Sequence, residues 1–182
     1  MSNFSFAQIA VGKKDVTLSY DNQTGLISWN GEITTALEKA ALYQKIKNFT
    51  GSRYHPESSE KVTDDATNGI IEIRCQFDEV HKILGSMTVA PTGAVYYTLR
   101  LQISGSVVRY SFTNFYHRVD ARHLRTVLPS FGYLEDFDTP EERETLSKYY
   151  QQNYKDDLAA IISQAEAHVT IEIAKLNQYL TK

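Results

Sequence analysis

Two long stretches in which apolar and polar residues alternate place the strongest constraint on the fold. Over residues 71–78, isoleucine, cysteine and phenylalanine alternate with charged and amide side chains. Residues 94–104 alternate in the same way, and the pattern resumes over 108–112 after a Ser-Gly-Ser turn. Alternation puts the apolar residues on one face of a strand and leaves the other face in water, which is typical of antiparallel sheets. The short glycine turn predicts a β-hairpin between the last two stretches.

Helical spacing replaces alternation in two places. Over residues 34–51 the apolar residues recur every three or four positions, which predicts a helix with Thr34 or Thr35 as N-cap and a stop at its glycine. A second helix is expected over 139–180, because Thr-Pro-Glu-Glu is a strong helix start. Unbroken, it would be about 60 Å long. We therefore expect it either to break near 153–157 or to project and meet a partner.

The second helix carries one apolar stripe: Leu158, Ile161, Ile162, Ala165, Val169, Ile173, Leu176 and Leu180. If the helix breaks, the stripe is expected to pack on the apolar face of the sheet. If it projects, the stripe predicts a homodimer through the helix 158–180.

Shorter segments complete the outline. The pattern predicts strand, turn and strand over 16–29, a strand at 61–63 before a polar turn at 64–69, and a strand over 85–89 that Pro91 ends. Residues 117–138 are expected to be irregular, with a short helix around 121–127. Together, these strands and helices predict an α+β fold with a long C-terminal helix or helix pair.

Length and composition agree with one globular domain. The chain has 182 residues, 42% of them hydrophobic, one cysteine and a formal net charge of −3. These values exclude a disordered or disulfide-stapled protein and give no overall attraction to nucleic acid. No apolar run approaches the roughly 20 residues of a membrane-spanning helix. We divide the chain into 1–7, an α+β domain at 8–138 and a helical extension at 139–182.

Motifs for catalysis are absent from the sequence. The five histidines show no metal-ligand spacing, and the closest pair, His117 and His123, is expected to be exposed in a loop. Cys75 lies on the apolar face of a strand, where a thiol is inert. Paired carboxylates such as Asp64-Asp65 fall in turns or first turns of helices. We therefore expect no enzyme, no metal and no cofactor.

An arginine-rich segment offers a candidate binding surface. Residues 100–125 contain five arginines against a single aspartate, with aromatic residues interleaved. Exposed aromatic and arginine side chains could bind an anion or stack on bases. The candidate ligand-binding residues are Tyr96, Arg100, Arg109, Phe115, Tyr116 and Arg118. The alternative is that Arg100 and Arg109 pair with acidic residues across the wet face of the sheet.

The first seven residues have two interpretations. Ser5 and Ala7 occupy the positions of small residues before a signal-peptide cleavage site, although a basic start and an apolar stretch are missing. The alternative is an ordinary frayed terminus.

The order of these segments resembles a known family. The residues that carry the resemblance are Gly31-Glu32, Leu42-Tyr43, Asp64-Asp65 with Gly69-Ile70-Ile71, Tyr97 to Leu101, and Arg109 to Phe115. Together they resemble the domain-of-unknown-function 4468 family over residues 24–118. The resemblance implies a TATA-binding-protein-like fold, that is, a curved antiparallel sheet with helices on one face. It also implies export, because such signals are common in this family of Gram-negative bacterial proteins, and it supplies no catalytic residues.

Three functional hypotheses follow. The first is a non-catalytic, periplasmic or secreted domain that binds an unknown protein or small ligand in the cell envelope; a cytoplasmic location is the alternative if Met1 is the true start. The second is a small hydrolase that uses Asp64, Asp65, His117 or His123. The third is nucleic-acid binding through the arginines of 100–125, which the overall charge does not favour.

Overall fold

The computed structural model describes residues 5–11, 14–20, 27–54, 60–82, 89–119, 132–134 and 148–182. In chain order the elements are β1 (Ser5–Val11), β2 (Lys14–Tyr20), β3 (Trp29–Thr34), α1 (Lys39–Arg53), β4 (Glu60–Asp65), β5 (Ile70–Lys82), β6 (Val89–Ser104), β7 (Val107–Val119), β8 (Gly132–Tyr133) and α2 (Lys148–Thr181).

The main sheet has the strand order β3-β7-β6-β5-β4, and the short β8 pairs with β7. The sheet is antiparallel, as the registers of β3 with β7 and β4 with β5 illustrate. Helix α1 therefore connects β3, at one edge of the strand order, with β4 at the other. The predicted α+β class, antiparallel sheet and C-terminal helix are confirmed.

Two compact units interleave along the chain. Unit 1 comprises Met1–Ser28, Phe77–Val95 and Asn114–Ala167, and unit 2 comprises Trp29–Gln76, Tyr96–Thr113 and His168–Lys182. The long strands and α2 contribute residues to both.

In unit 2 the strands have the predicted covered and wet faces. The buried face is formed by Ile71, Ile73 and Cys75 of β5, Tyr97, Leu99, Leu101 and Ile103 of β6, and Val108 and Phe112 of β7. Arg74 and Arg100 lie on the other face and are exposed. The predicted hairpin is confirmed, and Gly105 makes its turn with a positive φ of 59°.

Strand β7 changes its buried face at Asn114. Val108 and Phe112 are buried, so strict alternation would leave Phe115 in water. Asn114 instead adopts a φ of 57°, the left-handed conformation that asparagine tolerates better than most residues. After it, Phe115 and His117 are fully buried. Such a parity change is the effect of a β-bulge residue.

The start of α1 was predicted too early. The helix begins at Lys39 after an N-cap Glu38 that makes no side-chain cap bond, and it runs past Gly51 to Arg53. Thr34 is the last residue of β3. The Thr35 N–H donates to the Ser106 carbonyl at 2.9 Å, which keeps this residue at the end of the sheet instead of at the helix start.

Three segments differ in extent from their prediction. The strand predicted at 16–20 lies within β2, whose partner is β1 with Ser5 and Ala7, whereas Trp29, where the next strand was expected to end, begins a strand that pairs with β7. Pro91 lies inside β6 instead of ending a strand. Residues 117–119 continue β7, where irregular structure was expected. The predicted helix at 121–127 lies outside the described residues.

Helix α2 is continuous over its 34 described residues, so of the two expected alternatives the one with a break near 153–157 is wrong. The predicted start at Thr139 lies outside the described residues. The apolar stripe is buried within the chain itself. Its buried residues are Leu158, Ile161, Ile162 and Ala165 in unit 1, and Val169, Leu176 and Leu180 in unit 2. Dimerisation through 158–180 stays a prediction. No helix in the described ranges combines the length and apolarity that a membrane crossing requires.

Two turn glycines provide a matched test of close packing. Both have positive φ, but a Cβ on Gly69 would lie 2.6 Å from the Ile103 carbonyl oxygen, whereas a Cβ on Gly105 would meet nothing within 4 Å. We expect Gly105→Ala to lower the free energy of unfolding by about 1 kcal/mol through backbone strain alone. Gly69→Ala should cost about 3 kcal/mol, because the carbonyl must also shift. Urea denaturation measures both, and equal costs would contradict the close approach.

Candidate functional site

A buried carboxylate in unit 2 organises the candidate site. Glu172 of α2 is only 4% exposed. Its two oxygens accept hydrogen bonds from Arg53 Nε at 2.6 Å and Arg53 Nη2 at 2.5 Å, a bidentate arrangement. The hydroxyl of Tyr54 donates a third bond at 3.0 Å. The carboxylate is thus bonded by two consecutive residues that lie 118 and 119 positions away in the sequence.

The end of α1 delivers both donors. Arg53 is the last residue of the helix and Tyr54 is its C-cap, whose N–H bonds to the Thr50 carbonyl at 3.0 Å. Phe49, one turn earlier, packs edge-on against Tyr54, with 6.5 Å between ring centroids. These contacts fix the direction in which Arg53 and Tyr54 leave the helix.

The electrostatics favour a charged carboxylate. Burial alone would raise the pKa of Glu172, but the hydrogen bonds and positive charge of Arg53 outweigh burial, and the pKa is lowered. The hydrogen bond to Glu172 raises the pKa of Arg53. Lys175 adds a weaker contact, with Nζ 3.5 Å from Oε1 of Glu172. Glu172 and Arg53 are therefore both charged at neutral pH and form an ion pair.

A second polar contact lies one helical turn before Glu172. Nε2 of His168 is 3.0 Å from the hydroxyl of Tyr97 on β6, and the two rings pack edge-on at 5.5 Å. Burial lowers the pKa of His168 and raises that of Tyr97. Cys75, beside Tyr97 on β5, has its pKa raised to about 12 by burial. At neutral pH these three groups are all uncharged.

The network formed by Arg53, Tyr54, Cys75, Tyr97, His168 and Glu172 is suited to anchoring α2. Tyr97 and Cys75 are 2% exposed, so a substrate would have no access to either group. The described residues contain no group of three or more potential metal ligands. A protonated thiol is a poor nucleophile. The arrangement can hold charges and protons in fixed places, and it ties α2 to α1 and to the sheet.

Sequence reasoning missed this network, although one signal was present. The buried positions of α2 in unit 2 are Val169, Glu172, Leu176 and Leu180, whereas Ile173, which the stripe was expected to include, is only half-buried. A carboxylate at a buried position of the apolar stripe must be paired with a cation or with hydrogen-bond donors. The spacing of the stripe could therefore have identified Glu172 as a buried carboxylate, but it could not have identified the partners of Glu172.

Three of the predicted binding residues lie on the wet face of unit 2. Tyr96 is 39% exposed. Arg100 Nη1 lies 3.2 Å from Glu72 Oε2, and Arg109 Nε lies 3.1 Å from Glu32 Oε2. The alternative that these arginines pair across the sheet is therefore confirmed.

The other three lie in unit 1 on β7. Phe115 was expected to be exposed, which is wrong. Because Asn114 has a left-handed backbone conformation, the side chain of Phe115 lies in the core, where Phe115 is fully buried. Tyr116 is half-buried and packs edge-on against Tyr133 at 5.1 Å. Arg118 is exposed. Ligand binding by any of the six residues stays a prediction.

The candidate hydrolase residues have structural contacts. Asp64 accepts a hydrogen bond from the hydroxyl of Tyr43 and forms an ion pair with Lys47 at 3.1 Å. Burial and the carboxylate of Asp64 raise the pKa of Tyr43 to about 12. Asp65 accepts the backbone N–H of Asn68 at 3.0 Å, which lowers its pKa. His117 is fully buried in β7, so its expected position in an exposed loop is wrong. His123 lies outside the described residues.

Comparison with known proteins agrees with this architecture. Residues 33–118 match the sequence profile of a family described as a domain of unknown function (DUF4468) with a TBP-like fold. A TBP-like protein from Parabacteroides distasonis is similar in structure, with a TM-score of 0.51 and 10% identity over 81% of this chain and 92% of that one. A DUF4468 family protein from Bacteroides ovatus gives a TM-score of 0.52 and 12% identity over 81% and 86%. No curated protein matches the chain. The resemblance in family and fold is confirmed.

The substitution Glu172→Gln tests the buried pair, with Glu32→Gln as a matched control. The amide introduced at position 172 keeps the side-chain volume but leaves Arg53, whose side chain is 30% exposed, without its carboxylate. We expect the free energy of unfolding to fall by about 3 kcal/mol. The pair of Glu32 and Arg109 is 60% and 64% exposed, so the control should cost under about 1 kcal/mol. Equal losses in chemical denaturation would contradict the proposed role of Glu172.

Proposed function

We propose that this chain, whose residues 33–118 are a domain of the DUF4468 family, is a non-catalytic binding module of the bacterial cell envelope. It recognises a protein partner through the wet face of the unit 2 sheet. The observation that carries the proposal is the array of cross-strand ion pairs on that face, in which Arg100 lies 3.2 Å from Glu72 and Arg109 lies 3.1 Å from Glu32.

Paired charges favour a protein over a polyanion as partner. Each arginine is held by a carboxylate on a neighbouring strand, so the face presents both signs of charge in fixed positions. A nucleic acid would have to compete with those carboxylates for the arginines. A protein surface of mixed charge can complement both signs, and such complementarity provides specificity and fast association.

Tyr96 supplies an aromatic contact on the same face. It precedes Thr98 and Arg100 by two and four positions on β6, so the three side chains share one side of the strand. Tyr96 is 39% exposed, while the neighbouring Tyr97 is buried on the opposite side. Tyrosine and arginine are enriched among the residues that dominate protein interfaces.

Two observations support the absence of catalysis. The titratable groups of the buried network satisfy one another, with Glu172 bonded to Arg53 and Tyr54. The raised pKa of Cys75, about 12, keeps its thiol protonated at neutral pH. Location in the envelope is supported by the export signals that resemblance to this family implies.

Photo-crosslinking in the native host tests the binding face. A photoreactive phenylalanine analogue replaces Tyr96, and the matched control carries it at the exposed Gln44 of α1. We expect a defined protein adduct from position 96 and none from position 44. The double variant Glu32→Arg, Arg109→Glu keeps an ion pair within the chain but inverts the charges offered to the partner. It should abolish the adduct at 96 without loss of folding.

Two results would contradict the proposed face. One is an adduct that forms equally from positions 96 and 44. The other is an adduct at 96 that survives the charge inversion, because then the ion pairs would play no part in recognition.

A further inference from the structure

The main sheet ends in two edge strands of different character. In the described part of the chain, β3 and β4 each have a neighbouring strand on one side only. The other side of an edge strand presents main-chain donors and acceptors that can pair with another chain, and proteins block such edges with charges or β-bulges. β4 is blocked in both ways, since four of its six residues are charged and its register is interrupted between Lys61 and Thr63.

β3 has neither form of protection. Its six residues contain one charge, Glu32, and they pair with β7 in an uninterrupted register. The Thr35 N–H that donates to the Ser106 carbonyl continues this register and shows which main-chain groups face β7. Because the direction alternates along a strand, the N–H and C=O groups of Asn30, Glu32 and Thr34 point away from β7. All three residues are exposed.

The sequence of β3 is complementary to itself in one antiparallel register. Trp29 and Ile33 lie on the covered face of the sheet, and Asn30 and Glu32 lie on the wet face. With Gly31 opposite Gly31 of a second copy, Trp29 meets Ile33 of that copy, and Asn30 meets Glu32. The last two residues exchange main-chain hydrogen bonds, and the amide of Asn30 can donate to the opposing carboxylate. Two-fold symmetry makes each contact twice.

The neighbouring registers are less favourable. A shift of one residue would oppose residues of the covered face to residues of the wet face. The register centred on Glu32 would set two carboxylates directly opposite each other, which is destabilising. Registers centred nearer either end of β3 pair fewer of its six residues.

Gly31 suits the centre of the register. The residues at the axis form a pair without hydrogen bonds, in which the Cα atoms approach to about 4.5 Å. Two glycines can approach in this way without side chains between them. The ring of Tyr110 already fills the space beside Gly31, where a Cβ would lie 2.5 Å from the ring carbon Cζ.

We propose that the chain forms a two-fold symmetric homodimer, in which β3 of each copy pairs antiparallel with β3 of the other about Gly31 and joins the two main sheets into one. This interface is separate from the helix 158–180 and goes beyond the proposed binding of a protein partner, on which it does not depend. Because opposed residues share a face, the dimer presents two wet faces on the same side of the joined sheet.

Cysteine cross-linking tests the register. The variants Asn30→Cys and Glu32→Cys are mixed and exposed to a mild oxidant. In the dimer the two positions lie directly opposite each other, with Cα atoms about 5.5 Å apart, a distance that a disulfide spans. Two copies of the same variant hold the new thiols two residues apart along the strands, with Cα atoms about 9 Å apart, which is too far.

We expect a disulfide-linked dimer from the mixture and none from either variant alone. The wild-type chain is the control for the oxidant, because its single cysteine, Cys75, is 2% exposed.

Glu32→Pro and Glu32→Ala form a matched pair that tests the main-chain contacts. Both remove the carboxylate that pairs with Arg109, but only proline removes the N–H that points away from β7. Each copy uses this N–H once in the dimer, so the dissociation constant of Glu32→Pro should exceed that of Glu32→Ala at least about tenfold. Sedimentation velocity measures both, and the wild-type dimer should have twice the 20.7 kDa mass of one chain. Circular dichroism confirms that both variants fold.

Three results would overturn the dimer. Wild-type protein that sediments with the mass of one chain up to its solubility limit does not self-associate. Equal dissociation constants for Glu32→Pro and Glu32→Ala place the interface elsewhere, the helix 158–180 included. A mixture that forms no more disulfide than either cysteine variant alone contradicts the register about Gly31, and this arm decides the question if the proline variant does not fold.

Discussion

The arrangement of unit 2 depends on the burial of one carboxylate, because a charge removed from water is stable only when its hydrogen bonds are replaced. Glu172 meets this condition through the bidentate guanidinium of Arg53 and the hydroxyl of Tyr54. The requirement fixes where α1 ends, since both donors come from its last turn and cap. It also fixes the rotation of α2, which in turn directs His168 at Tyr97.

Local patterns predict much of this fold because they act over short distances in the chain. Alternation identified the buried faces of β5 and β6, and the glycine turn identified the hairpin between β6 and β7. The same reasoning failed beyond Asn114. One residue with a positive φ reverses the face of every later position, and no periodicity announces it. For that reason Phe115 and His117 were placed in solvent although they are core residues.

The candidate site could be predicted only in part, because its contacts are distant in sequence. A buried glutamate within an apolar helix stripe can be recognised from spacing, but the chain offers 19 lysines and arginines as partners. The choice of Arg53 depends on where α1 ends, which the helix signals placed at Gly51. On the wet face, by contrast, cross-strand neighbours follow from register, so the pairing of Arg109 with Glu32 was within reach of sequence reasoning.

A double-mutant cycle between Arg53 and Glu172 tests the central claim most directly. Arg53→Met leaves the buried Glu172 without its cation, and Glu172→Met leaves the partly exposed Arg53 without its carboxylate, whereas the double variant removes both charges of the pair. The free energy lost by the double variant should therefore be smaller than the sum of the single losses by about 2 kcal/mol. Strictly additive losses, measured by urea denaturation of all four proteins, would show that the buried pair does not hold α2 in place.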